Sequence, residues 1–162
     1  MRSLPFILVA IVISVVAGCD EGLSPDPINT TTPGFGGVLT VVSAWPMADS
    51  VRDLRIVAFR NYPPKDIIVE VLAGTAIFSE QLKYDSSRQT YRIVGEGMQG
   101  NFAYVVAAQQ YGDNLFQDWR VVGVFTRSGD VNIPSPVELG SGLYLDDIDI
   151  RVDFDNLPPQ PF

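Results

Sequence analysis

The sequence predicts an all-β protein, built as a single antiparallel β-sandwich of about seven strands. Short segments rich in β-branched and aromatic residues recur along the chain, and turn-forming residues separate them about every 8–12 residues. No long stretch has the periodicity of an amphipathic helix. The 162 residues are 46% hydrophobic and 19% charged, which is a composition that can form a hydrophobic core.

The predicted strands begin at residue 38. The first two, Val38 to Trp45 and Leu54 to Phe59, are rich in β-branched residues and are followed by prolines. The segment Ile67 to Leu72 is compatible with two structures, because its apolar residues would line one face of a helix while its β-branched content and short length favour a strand. Four further strands are predicted at Ala76 to Leu82, Thr90 to Val94, Phe102 to Gln109 and Trp119 to Phe125.

Alternation of side chains indicates how the sheet is covered. In Phe102 to Gln109 both alternating sets are mostly apolar, which indicates a central strand that is buried on both faces. The last predicted strand, Leu145 to Asp155, alternates between apolar side chains and charged ones. One of its faces is therefore expected to be buried and the other to be solvated.

The first nineteen residues have the pattern of a bacterial export signal. Arg2 provides positive charge, and Leu4 to Val16 form an apolar run that is long enough for a signal peptide and too short to span a membrane. The run ends in Val16, Ala17, Gly18 and Cys19. This ending resembles the lipobox of bacterial lipoproteins, which implies that signal peptidase recognises residues 16–18 and that Cys19 is acylated and anchors the chain in the lipid bilayer. The alternative is an ordinary signal peptide followed by a free thiol.

The chain is expected to divide into four segments. Residues 1–18 are the signal peptide, 19–36 are the lipidated cysteine and a tether rich in Pro, Gly and Thr, 37–156 are the sandwich, and 157–162 are a proline-rich tail. We expect the protein to be held in the cell envelope at the outer membrane. The sequence does not distinguish between the periplasmic leaflet and the surface leaflet of that membrane.

The charge and residue inventory excludes several classes of function. With 11 Lys and Arg against 19 Asp and Glu, the net charge of −8 provides no basic surface for nucleic acid. The chain has no histidine and one cysteine, so its sequence lacks Ser-His and Cys-His nucleophiles, common zinc sites and intrachain disulfides. We therefore expect no cofactor and no enzymatic activity.

Three segments of the domain resemble a known family. They are Gly37 to Thr40 (GVLT), Leu54 to Phe59 (LRIVAF), and Gly100 to Ala107 (GNFAYVVA), where a Gly-x-Phe turn leads into a strand. These segments resemble the carboxypeptidase regulatory-like, or transthyretin-like, β-sandwiches, and Leu143 to Phe154 resembles the closing strand of uncharacterised bacterial lipoproteins. The resemblance implies an immunoglobulin-like or prealbumin-like sandwich that acts as a non-catalytic accessory or binding domain. The chain lacks the cysteine pair of antibody-type members.

Acidic residues near the C-terminus are a candidate cation site. Asp146, Asp147 and Asp149 carry the hard carboxylate oxygens that Ca²⁺ prefers. Alternate side chains on a strand lie about 7 Å apart, which is too far for convergence on one ion unless a loop contributes. A solvated strand face is therefore favoured, and no metal is predicted.

Two sets of apolar and aromatic residues are candidate binding sites. Leu115 and Phe116 lie in the loop between two predicted strands, where they would either form an exposed partner-binding element or fold back as a cap, which is the more common outcome. Trp45, Tyr111 and Trp119 are candidates for stacking on sugar rings, although packing at the rim of a sandwich is their more common role. The leading prediction is an accessory or scaffolding subunit that binds an envelope protein, and the alternative is a glycan-binding module.

Overall fold

The structure, a computed structural model, describes residues 32–161. These residues contain ten β-strands, one six-residue α-helix and one short 3₁₀ helix, which confirms the all-β class. No helix among them is long and apolar enough to cross a membrane. The predicted signal peptide and most of the tether, with Val16, Ala17, Gly18 and Cys19, lie outside the described residues.

The elements follow one another along the chain with short connections. The strands are β1 (Gly34–Val41), β2 (Asp53–Phe59), β3 (Ala76–Phe78), β4 (Arg88–Val94), β5 (Gly100–Phe102), β6 (Tyr104–Gln110), β7 (Trp119–Val124), β8 (Val137–Leu139), β9 (Tyr144–Leu145) and β10 (Ile150–Val152). The 3₁₀ helix is η1 (Ala48–Ser50), and the α-helix is α1 (Ile67–Leu72).

The strand count and directions differ from the predicted seven antiparallel strands. Within residues 32–161, eight strands form one sheet in the order β3-β2-β6-β7-β10-β1-β4, with β9 also paired to β1, and β5 and β8 form a second sheet. Most pairs are antiparallel, but β1 runs parallel to both β9 and β10. Side-chain alternation does not encode strand direction, so the sequence pattern could not reveal the parallel pairs.

Several strand boundaries also differ from the sequence-based expectation. β1 begins at Gly34, inside the predicted tether, and Phe35 is fully buried. The predicted strand Phe102 to Gln109 is divided at Ala103 between β5 of the small sheet and β6 of the large one. The predicted strand from Leu145 onward is interrupted by Asp147, whose φ of 66° is left-handed, a conformation that aspartate tolerates. β8 has no counterpart among the predicted strands.

The large sheet curls around one hydrophobic core. Inward-facing side chains of β1, β2, β4, β6, β7 and β10 meet in a single cluster. The small sheet closes the cluster, because fully buried Phe102 of β5 packs on Phe35 with 5.6 Å between ring centroids. β6 lies between β2 and β7, and its residues 104–109 are all buried, which confirms the prediction of a central strand covered on both faces.

Helix α1 covers the opposite face of the sheet. Its inward side is formed by Ile67, Glu70 and Val71, which have the spacing of one helix face, while Val69 and Leu72 are exposed. Ile67 packs in a second apolar cluster with residues of β2, β6 and β7. The ambiguous segment is therefore a helix, since only a helix brings these three side chains to one face.

An irregularity in β7 supplies side chains to both clusters. The register shifts between Ala107 and Ala108 of β6, which pair with Gly123 and Val121, so that Val122 is an additional residue on β7. Val121 and Val124 consequently pack in the cluster under α1, while Val122 packs in the main core.

Candidate functional site

Two adjoining pockets lie between α1 and the loop of residues 111–118, and together we name them the α1 groove. The larger pocket has a volume of about 590 Å³ and the smaller about 240 Å³. They share Ile67, Ile68 and Trp119 as lining residues. The larger pocket mixes aromatic and polar side chains, whereas the smaller one is mainly apolar.

Local hydrogen bonds hold α1 at one wall of the groove. The carboxylate of Asp66 caps the helix by accepting the backbone N–H of Val69 at 2.9 Å. At the other end, the hydroxyl of Thr75 donates to the carboxylate of Glu70. This hydrogen bond is the main reason why the pKa of Glu70 lies below its ordinary value.

The opposite wall is a loop closed by its own hydrogen bonds. The backbone N–H of Tyr111 donates to the carbonyl of Asp118 at 2.9 Å, and the indole N–H of Trp119 donates to the carbonyl of Leu115 at 2.8 Å. Leu115 is 52% exposed and Phe116 is 64% exposed. Neither side chain forms the cap that sequence reasoning favoured; both stand at the mouth of the groove, Leu115 at the smaller pocket and Phe116 at the larger.

A polar link connects the larger pocket to the centre of the sheet. Gln109 of β6 is fully buried, and its side-chain N–H donates to the carbonyl of Ser50 at 2.5 Å. Its Oε1 accepts the Nε–H of Arg120 at 2.9 Å. The Arg120 guanidinium lies 5.5 Å from the ring centre of Tyr111 and lines the larger pocket. Sequence reasoning missed both residues; the available signal was a polar side chain, Gln109, at the end of the otherwise mostly apolar predicted strand Phe102 to Gln109.

The three aromatic residues selected for sugar stacking do not form one platform. Tyr111 and Trp119 line the larger pocket, but Arg120 lies over the Tyr111 ring and the Trp119 indole N–H is bonded to the loop. Trp45 lies elsewhere, packed against Tyr84 and Phe154 with centroid distances of 5.1 and 5.2 Å. Trp45 is thus packed at the rim of the fold, which the sequence analysis gave as the more common role of such residues.

Of the three candidate acidic residues near the C-terminus, Asp149 holds two strands of the fold together. Asp149 Oδ1 accepts the backbone N–H of Val38 at 2.7 Å, which ties the segment before β10 to β1. Asp146 and Asp147 lie in the exposed connection after β9. Across residues 32–161, no group of three or more acidic or cysteine side chains is arranged to hold a metal ion.

Comparison with known proteins adds no functional assignment. The chain matches no protein-family model, no curated protein and no solved structure. The geometry of the α1 groove, together with the sequence pattern of the N-terminus, is therefore the basis for a functional proposal.

Proposed function

We propose that the protein is a lipid-anchored, non-catalytic subunit of the bacterial cell envelope that binds a partner polypeptide in the α1 groove. The anchor and the non-catalytic role are supported by the lipobox-like residues ending at Cys19, by the resemblance to transthyretin-like domains, and by a sequence without histidine.

The observation that carries the proposal is a set of exposed apolar side chains around one concave surface. Phe78, Leu115 and Phe116 are 48%, 52% and 64% exposed, and all three line the groove. Single exposed apolar residues are ordinary, whereas several that frame one pocket indicate an interaction surface. Burying a side chain of this size stabilises a complex by about 1.5–3 kcal/mol.

The size of the smaller pocket favours a polypeptide as the occupant. Its volume of about 240 Å³ is below the range of most small-molecule sites and suits one large apolar side chain. The adjoining larger pocket provides polar groups that can accommodate the flanking backbone, including the side chain of Gln117. A side chain anchored in one pocket with its backbone in the next is a common form of peptide recognition.

Affinity capture from native membranes tests this function. The full chain is purified in mild detergent after crosslinking, and proteins that remain in near-stoichiometric amount are identified by mass spectrometry. Phe116→Ser should reduce capture of the same partner at least about tenfold. Ile133→Ser is the matched control, because Ile133 is 58% exposed but does not line the groove, and it should leave capture unchanged. Absence of a partner, or equal loss with both variants, would contradict the proposal.

The anchor has a separate test. Cys19→Ala should release the chain from the membrane fraction or leave it unprocessed, because two or more acyl chains make membrane attachment effectively permanent. Membrane fractionation and intact-mass spectrometry measure this. A Cys19→Ala chain that is still acylated and membrane-bound would contradict lipidation at this residue.

A carbohydrate-binding module is the second candidate. Although Arg120 lies over the Tyr111 ring, the aromatic side chain of Trp119 lines the larger pocket beside the amide of Gln117, and an aromatic ring next to an amide can hold a sugar ring. Titration with neutral oligosaccharides, followed by the fluorescence of Trp119 in a Trp45→Phe background, distinguishes this candidate. A saturable change would favour a glycan ligand, and no change would leave the polypeptide as the occupant.

A further inference from the structure

We propose that the partner segment presents a carboxylate beside its apolar anchor, and that Arg120 binds this carboxylate. This inference rests on the proposed function and specifies the chemistry of the partner. Arg120 lines the larger pocket next to the aromatic side chains of Tyr111 and Trp119. A carboxylate bound there would lie in the pocket that adjoins the smaller, mainly apolar pocket, where the apolar anchor would bind.

Arg120 is held in place before any ligand binds. Its Nε–H donates at 2.9 Å to Gln109, a fully buried residue that is itself bonded to the carbonyl of Ser50. The guanidinium also stacks over Tyr111. These contacts use Nε and one face of the group, and among residues 32–161 the two terminal nitrogens have no hydrogen-bond partner. A guanidinium positioned in this way can offer two parallel N–H donors to a carboxylate.

The charges around the pocket favour an anionic segment. Lys65 is the second cation that lines the larger pocket, and Asp66 is the one acidic side chain described there. Asp66 is already engaged as the helix cap through the backbone N–H of Val69. The two ion pairs within the described residues use Arg52 and Arg55, so Arg120 takes part in neither. Lys65, in contrast, lies close enough to the Glu70 carboxylate for the two charges to attract each other. In a chain of net charge −8, this pocket is thus locally suited to an acidic ligand group.

Paired peptides test the role of the carboxylate. The probes are acetyl-Leu-Asp-Phe-amide and its isosteric asparagine counterpart, titrated at up to millimolar concentration into the full chain in mild detergent. The readout is the indole N–H signal of Trp119 in ¹H–¹⁵N spectra, with the signal of Trp45 as an internal control outside the groove. We expect saturable shifts of the Trp119 signal and a dissociation constant about fivefold lower for the aspartate peptide.

Variants at Arg120 assign the effect to this residue. Arg120→Gln should remove the preference for aspartate, and Arg120→Lys should retain part of it, because lysine keeps the charge without the paired donors. Arg92→Gln is the matched control, since Arg92 is an exposed arginine that, like Arg120, stacks over a tyrosine, at 5.0 Å from the ring centre of Tyr144. It should leave the preference unchanged. Thermal unfolding of each variant verifies that it is folded.

The outcomes separate this inference from the proposed function. Equal affinity for the two peptides, or an undiminished preference in Arg120→Gln, overturns carboxylate recognition. If partner capture still depends on Phe116 in that case, the docking function stands without it. If neither peptide shifts the Trp119 signal, the inference is overturned as well, and partner capture alone decides the function.

Discussion

Replacing Gln109 with leucine tests the buried polar link between the centre of the sheet and the groove. The side chain is fully buried and makes two hydrogen bonds, one to the carbonyl of Ser50 and one from Arg120. A typical hydrogen bond contributes about 1 kcal/mol to stability. Both partners are partly exposed and can gain some hydration, so Gln109→Leu should lower the free energy of unfolding by about 1–2 kcal/mol.

Urea denaturation of the full chain, followed by tryptophan fluorescence, measures this loss. With a denaturant slope of about 2 kcal/mol per molar, the midpoint should fall by roughly 0.5–1 M. Gln81→Leu is the control, because Gln81 is exposed and makes one long hydrogen bond of 3.3 Å to the carbonyl of Arg52. Its change should stay within about 0.5 kcal/mol. Equal midpoints for the two variants would refute the structural role assigned to Gln109.

Two further predictions concern packing and pH. Gly123→Ala should destabilise the fold by about 1–3 kcal/mol, because the added Cβ would meet the carbonyl oxygen of Arg151 at 2.6 Å. Gly95→Ala is the control, because its Cβ would make only ordinary contacts beginning at 3.4 Å, and it should change the urea midpoint little. Equal losses of unfolding free energy in the two variants would argue against the close approach of β7 and β10 at Gly123. The pKa of Glu70 is lowered chiefly by the Thr75 hydroxyl, so the ionised carboxylate stabilises the fold. This contribution is fully present above the unfolded-state pKa of about 4.3. It is lost as the pH falls through the lower pKa of the folded state. Glu70→Gln should therefore flatten the fall in unfolding free energy below that pH, as measured by urea midpoints between about pH 3 and 5; an unchanged slope would contradict this.

Local sequence pattern was sufficient to predict most of the strands. β2, β4, β6 and β7 occupy the segments where β-branched and aromatic residues had indicated strands. Buried Ile148, Ile150 and Val152 alternate with exposed Asp149 and Arg151, as the period-two pattern predicted. These features could be predicted because strand propensity and side-chain alternation depend on residues that are close in sequence.

The candidate site was predictable only in part. Leu115, Phe116, Tyr111 and Trp119 had been selected as apolar or aromatic residues near a loop, and the structure places all four at the α1 groove. Their grouping with α1 was not predictable, because the segment Ile67–Leu72 carried both helix and strand signals. The helix forms because its inward face packs on β2, β6 and β7, which is a contact that no local pattern contains.

The sequence by itself determined the all-β class, the main strand segments and the acidic charge. Each of these follows from composition or from spacings of a few residues. Only the tertiary structure decided the parallel pairing of β1 with β10, the separation of β5 from β6, and the groove in which Arg120 is held by Gln109. These features depend on contacts between distant parts of the chain, as between Gln109 and Ser50, and such contacts exist only once the sheet has curled around its core.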